Sequence, residues 1–274
     1  IEAVRQLKWE LGEENSLVIH LTLIPYLSAA AELKTKPTQH SVKTLMESGV
    51  NADIIVCRTE HKLSNAIKNK IALFCNVQNE AVIESIDAET IYDVPILMQK
   101  ERLDKVVLKK LGLSTIKSSK MDRWKVFLDK LKNSDKTVNI GLVGKYVELP
   151  DSYLSVNEAI KHAAANNFTK INVNWIDSDS LSEDNKNQYL DKMSGIIVPG
   201  GFGERGIEGK IKAITFAREK NIPFFGICLG MQMAVIEAAR NLGKLEKASS
   251  EEFSDLNSCK DKVHVVFHLE KWID

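Results

Sequence analysis

The sequence predicts an α/β protein with two parallel-sheet domains, each of three layers. Short β-rich runs alternate with helical patterns in both halves of the chain, which favours parallel strands with helices on both faces. With 274 residues, 44% of them hydrophobic, the chain has material for about two domain cores. Polar and glycine-rich motifs follow several predicted strands, and ligands bind at that edge of a parallel sheet.

The first half begins with an amphipathic helix, because apolar residues recur at helical spacing from Ile1 to Leu11. A buried strand over 16–27, a polar loop over 31–40 and a helix capped by Thr38 or Ser41 come next. The remaining elements are predicted as a strand at 51–59, a helix at 66–74, a strand at 81–86 and helices over 89–113 with a break before Pro95.

The middle of the chain changes character. Residues 115–136 are polar and rich in lysine, with one amphipathic helix, and are interpreted as the linker between domains 1–114 and 137–274. A second alternation follows, so a second parallel sheet is expected. Its predicted order is strand 137–146, helix 153–166, strand 170–177, helix 182–193, strand 195–200, helix 207–221, strand 223–228, helix 229–241 and strand 264–273.

Composition argues against several classes of protein. The 37 basic and 37 acidic residues cancel, so no global field favours a nucleic acid or a membrane surface. The four cysteines form no CxxC pair, which argues against a zinc site and for a reducing, cytoplasmic location. The first residues do not form a signal peptide, and no apolar run of about 18 residues predicts a membrane span.

A single cysteine, Cys228, stands between two glycines in the motif G-I-C-L-G, where a predicted strand meets a predicted helix. The motif has the form of a nucleophile elbow, in which a strained turn presents the nucleophile at a helix N-terminus. The alternative is a buried cysteine with two packing glycines. The upstream loop V-P-G-G-F-G favours the elbow because it offers N–H groups for an oxyanion, although a plain tight loop or a phosphate nest also fits.

P-G-G-F-G followed by G-I-C-L-G-M-Q resembles the glutaminase domain of the class I, or triad, glutamine amidotransferases. The resemblance implies a flavodoxin-like domain in which Cys228 attacks the carboxamide of glutamine, forms a thioester and releases ammonia. Gly200 and Leu229 would form the oxyanion hole. The implied glutamine-binding residues are Gly201, Phe202, Leu229, Gly230, Met231 and Gln232, with Glu252 holding the α-amino group of glutamine.

The triad of that family also needs a histidine and a glutamate from an H-P-E motif, and the sequence contains none. His264 and His268 lie in a strand pattern without a following proline, so both are interpreted as structural. We therefore expect an internal fragment whose cysteine has an elbow but no general base. Such a fragment alone should hydrolyse glutamine very weakly.

The polar loop of the first half concentrates two lysines, two threonines and a glutamine between Lys34 and Gln39. Ammonium and hydroxyl groups suit phosphate oxygens, and a helix N-terminus directly after the loop would add N–H donors. A solvated polar loop explains the same composition. The segment is not a Walker A motif, so by itself it identifies no nucleotide.

Four longer stretches, H-L-T-L-I-P-Y-L, K-T-K-P-T-Q-H-S-V, K-I-A-L-F-C-N-V and G-L-V-G-K-Y-V-E-L-P-D-S-Y-L-S-V, closely resemble the CTP synthase family. The resemblance implies an incomplete P-loop-like synthase domain joined to an incomplete glutaminase domain. It implies ATP-dependent amination of UTP to CTP with ammonia from glutamine. The residues implied for UTP, or for CTP as feedback inhibitor, are Lys34, Thr35, Lys36, Pro37, Thr38, Gln39 and Lys70, and Arg58 is implied for ATP.

The departures from the family pattern matter as well. No Walker A sequence occurs, so the P-loop and the acidic ligands of the Mg²⁺ that accompanies ATP are expected upstream of Ile1. The resemblance further implies GTP as an activator and a homo-oligomer, expected to be a tetramer, without nucleic-acid or membrane partners. Two alternatives stay open: another class I amidotransferase such as a GMP synthase, and a catalytically inactive nucleotide-binding or filament-forming module.

Overall fold

The computed structural model describes residues 1–113, 120–253 and 262–268. The chain divides into two compact units, Ile1–Lys125 and Val126–Asp274, and each contains its own parallel sheet. The predicted α/β class is therefore confirmed in both halves. Within the described ranges, no helix combines the length and the apolar character that crossing a bilayer requires.

The first unit alternates helices and strands. Its elements are α1 (Glu2–Leu11), β1 (Ile19–Ile24), β2 (Tyr26–Leu27), β3 (Glu32–Leu33), α2 (Lys36–Glu47), β4 (Ile54–Thr59), α3 (Asn65–Phe74), β5 (Val82–Ile86), α4 (Val94–Lys100) and α5 (Leu103–Lys110), with 3₁₀ turns at Asn79–Ala81 and Ile91–Asp93. The sheet has the order β1-β4-β5, and all three strands are parallel. Their carboxyl ends therefore meet at one edge of the sheet.

Strand β4 separates two cores in the first unit, because successive side chains of a strand point to opposite faces. Ile55 packs on one face in a core that includes Ile71 of α3. Ile54 packs on the other face in a core that includes Val106 of α5. Since both faces of the central strand are covered, the predicted three-layer arrangement is confirmed for this unit.

The second unit repeats the alternation with a larger sheet. The unit boundary falls within α6 (Asp122–Lys132), which is followed by β6 (Lys136–Gly144), α7 (Leu154–Asn166), β7 (Thr169–Asp177), α8 (Lys186–Leu190), β8 (Gly195–Val198), α9 (Ile207–Glu219), β9 (Phe224–Gly226), α10 (Leu229–Asn241), β10 (Ala248–Ser250) and β11 (Val263–Val266), with 3₁₀ turns at Pro150–Tyr153 and Glu251–Phe253. The main sheet is parallel in the order β7-β6-β8-β9. Counted from β6 this is 2-1-3-4, the order of flavodoxin-like sheets.

Strand order in the second unit reverses between β6 and β8, and ligands of open α/β sheets bind at such a point. On one face of β6, Leu142 packs with Ile160 of α7. On the other, Val143 lies in a core with Ile214 of α9 and Ile236 of α10. The two covered faces fix the strands, and the loops after β6, β8 and β9 are left at one edge.

The helical stretch over 89–113 has the predicted boundary before Pro95, where the 3₁₀ turn Ile91–Asp93 ends and α4 begins at Val94, and it has a second, unpredicted break at Arg102. Pro95 lies in the first turn of α4, where its missing N–H removes no intrahelical hydrogen bond. Arg102 has φ 61° and separates α4 from α5. Pro95 therefore marks the start of helix α4. The left-handed conformation of Arg102 is not predictable from the residue type.

Two short strand pairings have no counterpart in the sequence patterns. The predicted polar loop contains part of the antiparallel hairpin β2–β3, and β10 pairs in parallel with β11. Strands of two or three residues are too short to show a period of two. Strand β11 begins at Val263, and the predicted strand residues 269–273 lie outside the described ranges, as do residues 115–119 of the predicted linker and Cys259.

Ile71→Ala should lower the free energy of unfolding of the first unit by about 2–5 kcal/mol, because it leaves a cavity in a closed core. Ile71 is 0% exposed, whereas Leu73 on the same helix is 75% exposed. Leu73→Ala is therefore the control and should change stability by less than about 0.5 kcal/mol. Hydrogen exchange of the β4 amides in increasing urea measures both effects, and equal loss of protection would contradict the core assignment.

Candidate functional site

Cys228 occupies the sharp turn between β9 and α10. Its backbone lies at φ 52°, ψ −109°, and its side chain is exposed. A non-glycine residue at positive φ is uncommon and costs about 1–3 kcal/mol, so it persists only where the surroundings enforce it. The buried-cysteine alternative is excluded by the exposure, and the strained turn of an elbow is present.

The two glycines around Cys228 are required by close packing. A Cβ on Gly226 would lie 2.6 Å from the carbonyl carbon of Gly230. A Cβ on Gly230 would lie 2.0 Å from the carbonyl oxygen of Val198, at the end of β8. Strand β9, helix α10 and the end of β8 therefore approach one another too closely for any larger residue at either position.

The glycine-rich loop after β8 begins beside the cysteine. A Cβ on Gly200 would sit 3.5 Å from the Cβ of Cys228, which is ordinary van der Waals distance. The N–H of Ile227 donates to the carbonyl of Val198 at 2.9 Å and keeps the two strand ends in register. Leu229 opens α10, where the first N–H groups have no intrahelical acceptor. The loop and the first turn of α10 thus flank Cys228.

Charged side chains hold this loop from two sides. The ammonium group of Lys145, the residue after β6, donates to the carbonyl oxygens of Phe202 and Gly203. The N–H of Gly203 donates to Oε1 of Glu252 at 3.2 Å. Lys145 is a site residue without a predicted role, although its place directly after the first strand of the sheet is a signal that the sequence carries.

The remaining predicted glutamine-binding residues differ in exposure. The side chain of Phe202 is 80% exposed, and Met231 is also exposed, whereas Leu229 and Gly230 are buried. Gln232 is partly buried, and its Oε1 has no hydrogen-bond partner among the described residues. An unsatisfied buried acceptor next to the elbow is a place where a ligand N–H group can be recognised.

His264 and His268 lie on or just after β11. His268 donates its backbone N–H to the carboxylate of Glu251 at 2.8 Å, and its Nδ1 lies 3.2 Å from the same carboxylate oxygen. These contacts, the backbone hydrogen bond first, lower the pKa of Glu251 below its usual value. The two contacts of His268 lie within the β10–β11 region, which agrees with the structural role predicted for this residue.

In the first unit, the lysine-rich segment is the start of a helix. Helix α2 begins at Lys36, so the loop predicted through residue 40 is wrong, and Pro37 occupies the first turn, a position that proline favours. Thr38 is fully buried, and its Oγ1 is 3.1 Å from both the hydroxyl of Thr22 and the carbonyl of Leu23. Its hydroxyl therefore ties α2 to β1.

The other side chains of the segment point in different directions. Gln39 donates from Nε2 to Oγ1 of Thr35 at 3.0 Å, and Thr35 is buried. Lys34 is paired with Glu32. Lys36 is exposed, so it is the residue of the segment best placed to present a positive charge to a solvent-borne ligand.

Arg58 and Lys70 are both exposed in the first unit. Arg58 lies in β4 near its carboxyl end, and its guanidinium is 3.6 Å from the carboxylate of Asp87, which follows β5. Lys70 lies on α3, the helix after β4. Lys34 to Gln39 follow β1 after the β2–β3 hairpin, and Arg58 lies at the carboxyl end of β4, the edge where ligands of parallel sheets bind.

Among the described residues, no group of three or more His, Cys, Asp or Glu side chains is arranged to hold a metal ion. That the Mg²⁺ ligands lie upstream of Ile1 stays a prediction.

Comparison with known proteins matches the two halves separately. The family model described as CTP synthase N-terminus matches residues 1–113, and the one described as glutamine amidotransferase class-I matches residues 148–270. The CTP synthase of Christiangramia forsetii is 62% identical over 252 residues, covering 92% of this chain and 46% of the relative. The CTP synthase of Cytophaga hutchinsonii is 61% identical over 269 residues, covering 98% of this chain and 49% of the relative.

A solved structure, the glutaminase domain of Trypanosoma brucei CTPS with bound acivicin, is 42% identical and covers 42% of this chain and 46% of that chain, with a TM-score of 0.41. The chain spans about half the length of the curated relatives it matches.

Gly230→Ala should destabilise the second unit by about 1–3 kcal/mol or more, because the new Cβ overlaps the carbonyl of Val198. Gly200→Ala is the matched control, since its Cβ meets Cys228 only at van der Waals distance. Thermal unfolding of both variants measures the difference. Equal midpoints would show that the close approach of β8 to α10 is wrong.

Proposed function

The chain belongs to the CTP synthase family, and we propose that it takes part in the glutamine-dependent conversion of UTP to CTP in pyrimidine nucleotide biosynthesis. The observation that carries this proposal is the presence of both family regions in one chain. An amidotransferase of another kind, such as a GMP synthase, would not carry the CTP synthase N-terminal region. The sequence identities of 61–62% support the same assignment.

In the proposed glutaminase step, the thiolate of Cys228 attacks the carboxamide carbon of glutamine. The C–N bond breaks as the amide nitrogen takes up a proton and leaves as ammonia. Water then hydrolyses the thioester to glutamate and frees the thiol. The N–H groups of Gly200 and Leu229 would stabilise the oxyanion, which is supported by the position of both beside Cys228. The pocket would be completed by Gly201, Phe202, Gly230, Met231, Gln232 and Glu252.

In the proposed synthase step, ATP phosphorylates the 4-oxygen of UTP, and ammonia displaces the phosphate to give CTP. The exposed cations Lys36 and Lys70 would contact the UTP or CTP phosphates, and Arg58 would contact ATP. The inward hydrogen bonds of Thr38 and Gln39 support a role in shaping the start of α2. Lys34, Thr35 and Pro37 complete the proposed nucleotide segment.

Mg²⁺ would accompany ATP, but the described residues offer no cluster that suits it, so no step is assigned to a metal here. Feedback inhibition by CTP, activation by GTP, a homotetramer and a cytoplasmic location are part of the same proposal. So are the domain limits 1–114 and 137–274 and the weak glutamine hydrolysis expected of this chain alone.

Cys228→Ala in the full-length enzyme should abolish CTP synthesis from glutamine and leave synthesis from ammonia intact. The reason is that only the first reaction requires a thioester. CTP formation with each nitrogen source measures both rates, and the ammonia reaction is the internal control for folding. Equal loss of the two reactions would assign Cys228 a structural role.

Lys36→Ala should weaken UTP binding by removing a charge-assisted contact of about 1.5–3 kcal/mol, or roughly ten- to 150-fold in affinity. Lys43→Ala on the same helix is the control, because Lys43 is exposed and its nearest carboxylate, Glu47, is 3.9 Å away. The UTP dependence of ammonia-driven CTP formation reports both variants. The same UTP requirement in both would mean that Lys36 is merely solvated.

A further inference from the structure

Lys210 of α9 is a buried lysine, and packing alone does not explain why the residue there carries an amine. Its side chain is 0% exposed, and its Nζ has no hydrogen-bond partner among the described residues. Burying an ammonium group without an acceptor carries a large cost in folding free energy. A methionine or leucine would fill the same space without that cost, so the amine itself calls for an explanation.

The Nζ of Lys210 lies beneath the loop that flanks Cys228. It is 3.6 Å from the position that a Cβ on Gly201 would occupy. The same position is 3.4 Å from the side chain of Leu229, and the neighbouring Gly200 approaches Cys228. Lys210 and Cys228 therefore approach neighbouring residues of the same Gly200–Gly201 stretch of backbone.

The charges around Lys210 compensate its own charge only in part. Lys145 lies beside the same glycine and is occupied by the carbonyls of Phe202 and Gly203. Asp179 lies 3.2 Å from the guanidinium of Arg205. Burial, then the charge of Lys145, lowers the pKa of Lys210 to about 8, while Asp179 acts in the opposite direction and Arg205 reinforces the lowering.

We propose that Lys210 is a positioning residue for the glutaminase reaction. Its buried ammonium acts across the Gly200–Gly201 backbone and stabilises the negative charge that develops at Cys228. A cation attracts peptide carbonyls and repels N–H groups, and the two point in opposite directions from each peptide. No described carbonyl accepts a hydrogen bond from the Lys210 Nζ, so the ammonium acts on the Gly200–Gly201 peptides and on the oxyanion through its electric field. The proposal rests on the proposed glutaminase function of Cys228.

The test is Lys210→Met in the full-length enzyme, because methionine keeps the length and the apolar stem of lysine but removes the charge. Release of glutamate from glutamine should fall about ten- to hundredfold in kcat with little change in KM, less than the loss of a direct oxyanion donor. Lys212→Met on the same helix is the control and should keep wild-type kcat. Ammonia-dependent CTP synthesis should be unchanged in both variants.

Two pH measurements separate a charge effect from a packing effect. The wild-type kcat should decline as pH rises through about 8, where Lys210 loses its proton, and Lys210→Met should lack that decline.

Wild-type kcat and an unchanged pH profile in Lys210→Met would overturn the proposal and leave Lys210 a packing residue. If the variant does not fold, the wild-type profile decides, and the absence of a decline between pH 7 and 9 would overturn it as well. Absence of glutamate release by the wild type would overturn the glutaminase function itself. That result differs from failure of the lysine's role alone, in which the wild type remains active.

Discussion

The contact between the backbone of Gly230 and the carbonyl of Val198 is the constraint on which the second unit depends. No side-chain carbon fits between them, so the first turn of α10 is pressed against the end of β8. That approach leaves one tight turn for the chain leaving β9, and Cys228 adopts its positive φ there. The loop that continues from β8 then begins beside the cysteine, because its starting point is set by the same contact.

The two units use the same edge of a parallel sheet in different ways. In the first unit, exposed cations such as Lys36 and Arg58 face solvent there, while threonine hydroxyls are turned inward. In the second unit, the backbone of the glycine loop is presented outward, and Lys145 and Lys210 lie beneath it. Side chains suit the recognition of phosphates, and fixed N–H groups suit a charge that appears only during a reaction.

Much of this organisation was accessible from the sequence. Alternating β-rich and helical patterns predict both sheets, since strands such as β4 and β6 are long enough to show apolar runs. The glycine spacing around Cys228 predicts the elbow, because only glycine permits the observed distances. The very short strands β3 and β10 and the pairing of β2 with β3 were not predicted, since such pairing depends on tertiary contacts and not on a local period.

The site was predictable only in its backbone motifs. Glycine loops can be identified from composition, whereas nothing in the sequence distinguishes Lys145 and Lys210 from surface lysines. Their burial follows from the crossing of elements distant along the chain, for example the approach of Gly201 to both. In the same way, the loop predicted for residues 31–40 contains part of the β2–β3 hairpin, and helix α2 begins at Lys36, before the predicted caps Thr38 and Ser41.

Lys210 also couples the stability of the second unit to pH. Its pKa is about 8 in the folded protein, below the ordinary value of 10.5, so between these two values the unfolded chain binds the extra proton. Proton linkage then makes the folded state more stable as pH rises through this window, and below it the unit bears the whole cost of the buried charge. At neutral pH the second unit is therefore on the less stable side of this titration. A neutral residue at position 210 would remove the cost of the buried charge from the free energy of folding.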